Sequence, residues 1–184
     1  MTQTSRIGLI SFVILIAGGV APAILREPAT QPSAPAVDFR KLKEICPEQL
    51  NGMKRTSHEG QRTKMGEFAI STAQAAYESD SDKDNAPRIS LEILDYGATP
   101  GMAQGMAAWA QLDIDRESDT GYEKSTRVKG QPALETYDTG AKSGRVQVFV
   151  AGRFIVTLEL SNLPPEQTQK VAEELPLEKL AGMK

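Results

Sequence analysis

Cys46 and His58 are the only cysteine and the only histidine of the chain, and together they are the residue types of a nucleophile and its base. They lie twelve positions apart, and the local spacing indicates no third polar partner. Cys46 lies in a short amphipathic stretch that favours a buried, unreactive thiol. His58 lies in a polar stretch, which is typical of a surface side chain, and one histidine alone does not supply a zinc site of the usual kind. We predict no catalytic residue and no metal site here, with a Cys-His pair as the alternative.

Two acidic segments have the alternating carboxylates that open a calcium-binding loop. Such a loop of twelve residues has glycine at its sixth position and glutamate at its twelfth. The first segment has Asn85 and Leu91 at those positions, and the second has Lys124 at its twelfth. We therefore predict two solvated acidic loops, and weak binding of a hard cation is the alternative. The acidic positions are Asp80, Asp82 and Asp84 in the first segment, and Asp113, Asp115, Glu117 and Asp119 in the second.

Met102, Met106 and Trp109 recur at helical spacing, which favours a buried stripe over the wall of a ligand pocket. Arg153 follows a turn, and we expect it to form a structural pair with a carboxylate such as Glu135 across the sheet. The chain contains no glycine-rich phosphate loop and no nucleophile elbow. No cofactor is predicted, and no known family is identified from these motifs.

The elements that position these residues follow from the patterns of apolar side chains. The predicted helices are residues 37–46 with Asp38 as a cap, residues 100–112, and a last helix that begins at Pro164 or Pro165. The predicted strands are 66–79, 89–96, 122–128, 133–137, 145–151 and 153–160, with 53–61 as an exposed strand or loop. Ala151-Gly152 is predicted to be a two-residue hairpin link with positive φ at the glycine.

Tight turns join the strands that follow the central helix, so these strands must be antiparallel. The predicted fold class is α+β. It consists of an antiparallel meander sheet covered on one face by the central helix and the terminal helices, after an N-terminal apolar helix. Trp109 is predicted to be buried under that sheet.

The first residues of the chain indicate where it works. Residues 1–25 are predicted to be a signal peptide or a membrane anchor, because the apolar run at 7–25 is close to the length of a membrane span and also fits the core of a signal peptide. A Pro/Ala-rich spacer follows at 26–37, and we predict a single extracytoplasmic domain at 38–184. The spacer favours an uncleaved anchor, because it would hold the domain away from the membrane. Cleavage and release to the periplasm or the exterior is the alternative.

The composition excludes few classes of protein. The chain has 184 residues, a formal net charge of −3 and 24% charged residues, which is ordinary for a globular domain and gives no case for nucleic acid. We predict a non-enzymatic binding module in the cell envelope, held at the membrane by its N-terminal segment, with an envelope protein as its partner. The alternatives are a small ligand- or cation-binding protein that uses the acidic loops, and an enzyme of unrecognised type.

Overall fold

The computed structural model describes residues 35–66, 68–80, 85–97, 101, 105 and 108–183. The predicted apolar helix at 7–25 lies outside these residues, as do Met102, Met106, Asp82 and Asp84. Among the described residues, no helix has both the length and the apolar character needed to cross a membrane.

A nine-stranded antiparallel sheet accounts for most of the structure. In chain order its strands are β1 (Gln49–Leu50), β2 (Met53–Met65), β3 (Phe68–Glu78), β4 (Arg88–Asp95), β5 (Asp115–Ser118), β6 (Gly121–Val128), β7 (Gln131–Asp138), β8 (Ser143–Val150) and β9 (Phe154–Ser161). Their order in the sheet is β1-β2-β3-β4-β9-β8-β7-β6-β5. The predicted antiparallel sheet is confirmed. It consists of two meanders, β1–β4 and β5–β9, joined where β4 pairs with β9.

Three short helices pack on one face of this sheet. They are α1 (Phe39–Lys43), α2 (Pro165–Glu173) and α3 (Leu177–Ala181). The Asp38 side chain caps α1 as predicted, by accepting a 2.8 Å hydrogen bond from the Arg40 amide. A Cβ atom at Gly144 would lie 2.7 Å from the Thr168 hydroxyl, so glycine allows α2 to approach β8 closely.

The core lies between these helices and one face of the sheet. Directly opposed residues of antiparallel strands point to the same face, so Val148, Val156 and Ile93 lie side by side. All three are at most 1% exposed. Leu175, Leu177 and Leu180 of the C-terminal segment close over this apolar surface, and each is at most 1% exposed.

The hairpin of β8 and β9 differs from the prediction by one residue. Val150 pairs with Phe154, so the link contains three residues, 151–153, and the predicted two-residue link is wrong. Gly152 has a φ of +64°, as expected, and Ala151 also has a positive φ of +54°. Val148 and Val156 lie opposite each other and share one face, because an odd number of loop residues gives that register.

The segment between β4 and β5 brings the chain from the middle of the sheet to its far edge. Gly101, Gly105, Ala108 and Trp109 are helical within it, and the remainder of the predicted 100–112 helix up to residue 107 lies outside the described residues. Trp109 packs against Phe149, with ring centroids 4.2 Å apart and ring planes tilted by 34°. Phe149 alternates with the core residues Val148 and Val150, so Trp109 lies on the face opposite α1, α2 and α3. The prediction that Trp109 shares their face is wrong.

Candidate binding surface

The face of the sheet that carries Trp109 is mostly polar. We call it the open face, because α1, α2 and α3 all pack on the other one. Its side chains on the central strands alternate with those of the core, and several form pairs with neighbours across the strands. The Gln74 amide donates a 2.8 Å hydrogen bond to Glu92, and Arg145 forms an ion pair with Glu159. Both members of the Arg145–Glu159 pair are 52% exposed, so the pair is solvated.

A cleft lies on the open face at β6 and β7, and its lining combines apolar side chains with polar residues of β6. Trp109 forms part of one wall, and Leu112 and Ile114 continue along the same segment. Pro132 and Leu134 of β7 line the opposite side, and the cleft has a volume of about 230 Å³. Leu112 is 50% exposed, and Trp109 is half-buried on the buried ring of Phe149. The Trp109 indole and the exposed Leu112 side chain together form a surface that could bury an apolar group of a partner.

Arg153 does form the predicted pair with a carboxylate, but its partner is Asp95 and not Glu135. Nε and Nη2 of Arg153 each donate a 2.8 Å hydrogen bond to Asp95, one to each carboxylate oxygen. The backbone amides of Val37 and Gly97 donate to the same carboxylate, at 2.6 and 2.8 Å. Asp95 is fully buried, and these four bonds satisfy it. The pair is structural, since the acceptor sites of the Asp95 carboxylate are already used and none is left for a ligand.

Glu135 has different partners, on the core face. The Tyr122 hydroxyl donates a 2.5 Å hydrogen bond to one carboxylate oxygen, and the Lys124 ammonium lies 3.4 Å from the other. Burial raises the pKa of Tyr122, and the hydrogen bond to Glu135 raises it further. A tyrosine with a raised pKa keeps its proton, so Tyr122 acts as a donor to the carboxylate and not as a base. No sequence motif indicates this group, because its members lie on two different strands.

Cys46 and His58 do not form a nucleophile and base. Cys46 is 3% exposed, and burial raises the pKa of its thiol to about 11, so the thiolate is scarce at neutral pH. A ring nitrogen of His58 instead lies 3.0 Å from the Lys43 carbonyl oxygen. Burial also lowers the pKa of His58. The predicted buried thiol is confirmed.

The second acidic segment is not a loop along its whole length. Residues 115–118 form β5, in which Asp115 is opposite Lys124 and Glu117 is opposite Tyr122. An extended strand cannot wrap its carboxylates around one ion as a calcium loop does. Of the acidic positions of the first segment, only Asp80 is among the described residues. Within the described part of the chain, no group of three or more His, Cys, Asp or Glu side chains is placed to hold a metal ion.

Comparison with known proteins adds no relative. No protein-family model, no curated protein and no solved structure matches this chain. The functional inference therefore depends on the surface just described and on the N-terminal sequence.

Proposed function

We propose that this protein is a non-enzymatic binding module of the cell envelope. Its N-terminal apolar segment tethers it to the membrane, and it binds a protein partner through the cleft beside Trp109 on the open face. The observation that carries the proposal is the exposed Leu112 beside the indole of Trp109, which itself is fixed on Phe149. Tryptophan is enriched among the residues that dominate binding energy in protein interfaces.

The size of the cleft favours a protein over a small molecule. Pockets for drug-sized ligands have volumes of about 300–1,000 Å³, and this cleft has about 230 Å³. It is continuous with the polar remainder of the open face, where exposed side chains such as Arg145 and Glu159 can form a rim. An apolar centre with a polar rim is the usual arrangement of a non-obligate interface.

Site-specific crosslinking tests this proposal. A photoreactive amino acid in place of Leu112, in the full chain in membranes of its source cells, should give one dominant crosslinked protein. The same amino acid at Lys41, which is exposed on α1 at the other face, serves as the control and should give little product. Adding Trp109→Ala to the Leu112 variant should reduce the yield about tenfold or more, as expected for a central aromatic contact. Equal yields from Leu112 and Lys41 would count against the proposal.

A further inference from the structure

β2 and β3 extend beyond the rest of the sheet as a two-stranded hairpin. β4 ends at Asp95, opposite Ser71, whereas β3 begins at Phe68 and β2 continues to Met65. We call residues 62–70 the hairpin overhang. At about 3.3 Å for each residue, it projects about 10 Å past the end of β4.

The two faces of the hairpin overhang differ in character. Opposed residues share a face, so Thr63 and Ile70 lie on the same side as Phe68. Phe68 is 61% exposed, more than any other large hydrophobic side chain that the structure describes. Arg62 and Lys64 lie on the other side, and both are exposed. In the sequence, residues 62–70 carry two positive charges, on Arg62 and Lys64, and one negative charge, on Glu67.

The described chain begins at the same end of the sheet as the hairpin overhang. The Pro35 carbonyl accepts a 2.8 Å hydrogen bond from Arg153, and the Val37 amide is bound to Asp95. Asp95 lies opposite Ser71, where the hairpin overhang starts. From residue 25, at the end of the apolar run, ten residue steps lead to Pro35, and they span at most about 35 Å. The tether therefore limits how far this end of the sheet can lie from the membrane.

We propose that the hairpin overhang contacts the bilayer to which the chain is tethered. Phe68 enters the interfacial region, and Arg62 and Lys64 lie beside anionic lipid headgroups. This inference rests on the membrane tether of the proposed function. A tethered domain stays at high effective concentration near the surface, so one aromatic side chain and two cations suffice for a contact that would be weak in free solution.

A fluorescent probe on the full chain in vesicles tests the contact. Thr63→Cys places a thiol on the Phe68 side of the hairpin overhang, and an environment-sensitive dye is attached to it. The vesicles contain phosphatidylcholine with about one-third phosphatidylglycerol, and they carry a quencher on the lipid chains. The native Cys46 should stay unlabelled at neutral pH, because it is buried and the pKa of its thiol is about 11. The control probe is Thr120→Cys, in an exposed turn at the opposite end of the sheet.

We expect blue-shifted, quenched emission from position 63 and water-like emission from position 120. Phe68→Ser should lower the ratio of inserted to free probe at position 63 about tenfold. Lys64→Gln should lower it about fivefold. Lys54→Gln, the same change at an exposed position of β2 near the other end of the sheet, should leave it unchanged.

Flotation of the vesicles separates the two proposals. If the protein floats with the vesicles and the probe at position 63 is as exposed to water as the probe at position 120, the hairpin contact is overturned while the tether stands. If the protein does not float with the vesicles, the tether itself fails, and the hairpin contact fails with it. Equal effects of Lys64→Gln and Lys54→Gln would overturn the role of the basic side chains.

Discussion

The fully buried carboxylate of Asp95 is held by the guanidinium of Arg153 through two hydrogen bonds of 2.8 Å. Arg153 is also largely buried, with its side chain 11% exposed. The pair joins β4 to the start of β9, and through the Val37 amide and the Pro35 carbonyl it also fixes the first described residues. Removing one partner would leave the other charge buried without compensation.

Asp95→Ala should therefore lower the free energy of unfolding by about 3–5 kcal/mol. The matched control is Glu159→Ala, which removes the carboxylate of the exposed Arg145–Glu159 pair and should cost no more than about 1 kcal/mol. Urea denaturation of the full chain in detergent measures both. If both variants lose a similar free energy of unfolding, the Arg153 guanidinium must be hydrated in Asp95→Ala, and its charge is then not left uncompensated.

Trp109 should contribute less to stability than a core aromatic residue. It is half-buried and packs against one ring, so Trp109→Ala should cost about 1–2 kcal/mol. Phe154→Ala, at a fully buried position, should cost about 3–5 kcal/mol. The native fluorescence maximum of Trp109 should lie between those of a buried indole and an indole in water. A loss for Trp109→Ala as large as for Phe154→Ala would place the indole in the core after all.

The turn between β8 and β9 offers a stabilising substitution. Ala151 has a φ of +54°, a conformation that costs most L-residues about 1–2 kcal/mol and that asparagine tolerates better. Ala151→Asn should raise the free energy of unfolding by up to about 1 kcal/mol. Gly152→Val, at a φ of +64°, should lower it by more than about 1 kcal/mol. Ala141→Asn, in an exposed turn outside the positive-φ positions, is the control and should change it by less than about 0.5 kcal/mol.

Stability should decrease at alkaline pH because of Cys46. Burial raises the pKa of its thiol from 9.0 to about 11, so the folded state binds this proton more tightly than the unfolded state. The contribution is complete below pH 9 and is lost as the pH rises from 9 towards 11. Between pH 9 and 10 the free energy of unfolding should fall more steeply in the wild type than in Cys46→Ala. If the free energy of unfolding falls equally steeply with pH in the two proteins, folding does not raise the pKa of the Cys46 thiol.

The sequence predicted those elements whose apolar residues alternate on one buried face. Ile89, Leu91 and Ile93 identified β4, and the valines of β8 identified the next core strand. β5 escaped prediction because all of its four residues are exposed and polar, so no pattern distinguishes it from a loop. Helical spacing around Trp109 indicated which residues share one side of a helix, but it carries no information on which side of the sheet that helix lies.

The candidate binding surface could not be predicted for a related reason. The cleft combines Trp109 and Leu112 with β7 residues about twenty positions later in the chain. Similarly, the partner of Arg153 is 58 residues away, and several carboxylates were equally plausible on the sequence alone. Such pairings depend on how the two meanders are joined, which short-range patterns do not determine.

The seam between β4 and β9 has a consequence for the order of folding. Neighbouring strands within each meander are joined by short connections, whereas the seam pairs Asp95 with Phe154 and Arg88 with Ser161, across the whole second meander. Contacts between residues so distant in sequence form slowly, because a long loop must close first. During synthesis β4 emerges well before β9, so Ile89, Leu91 and Ile93 have no partner strand on that side until the second meander is complete. The nascent chain is therefore most prone to aggregation in the interval before β9 pairs with β4.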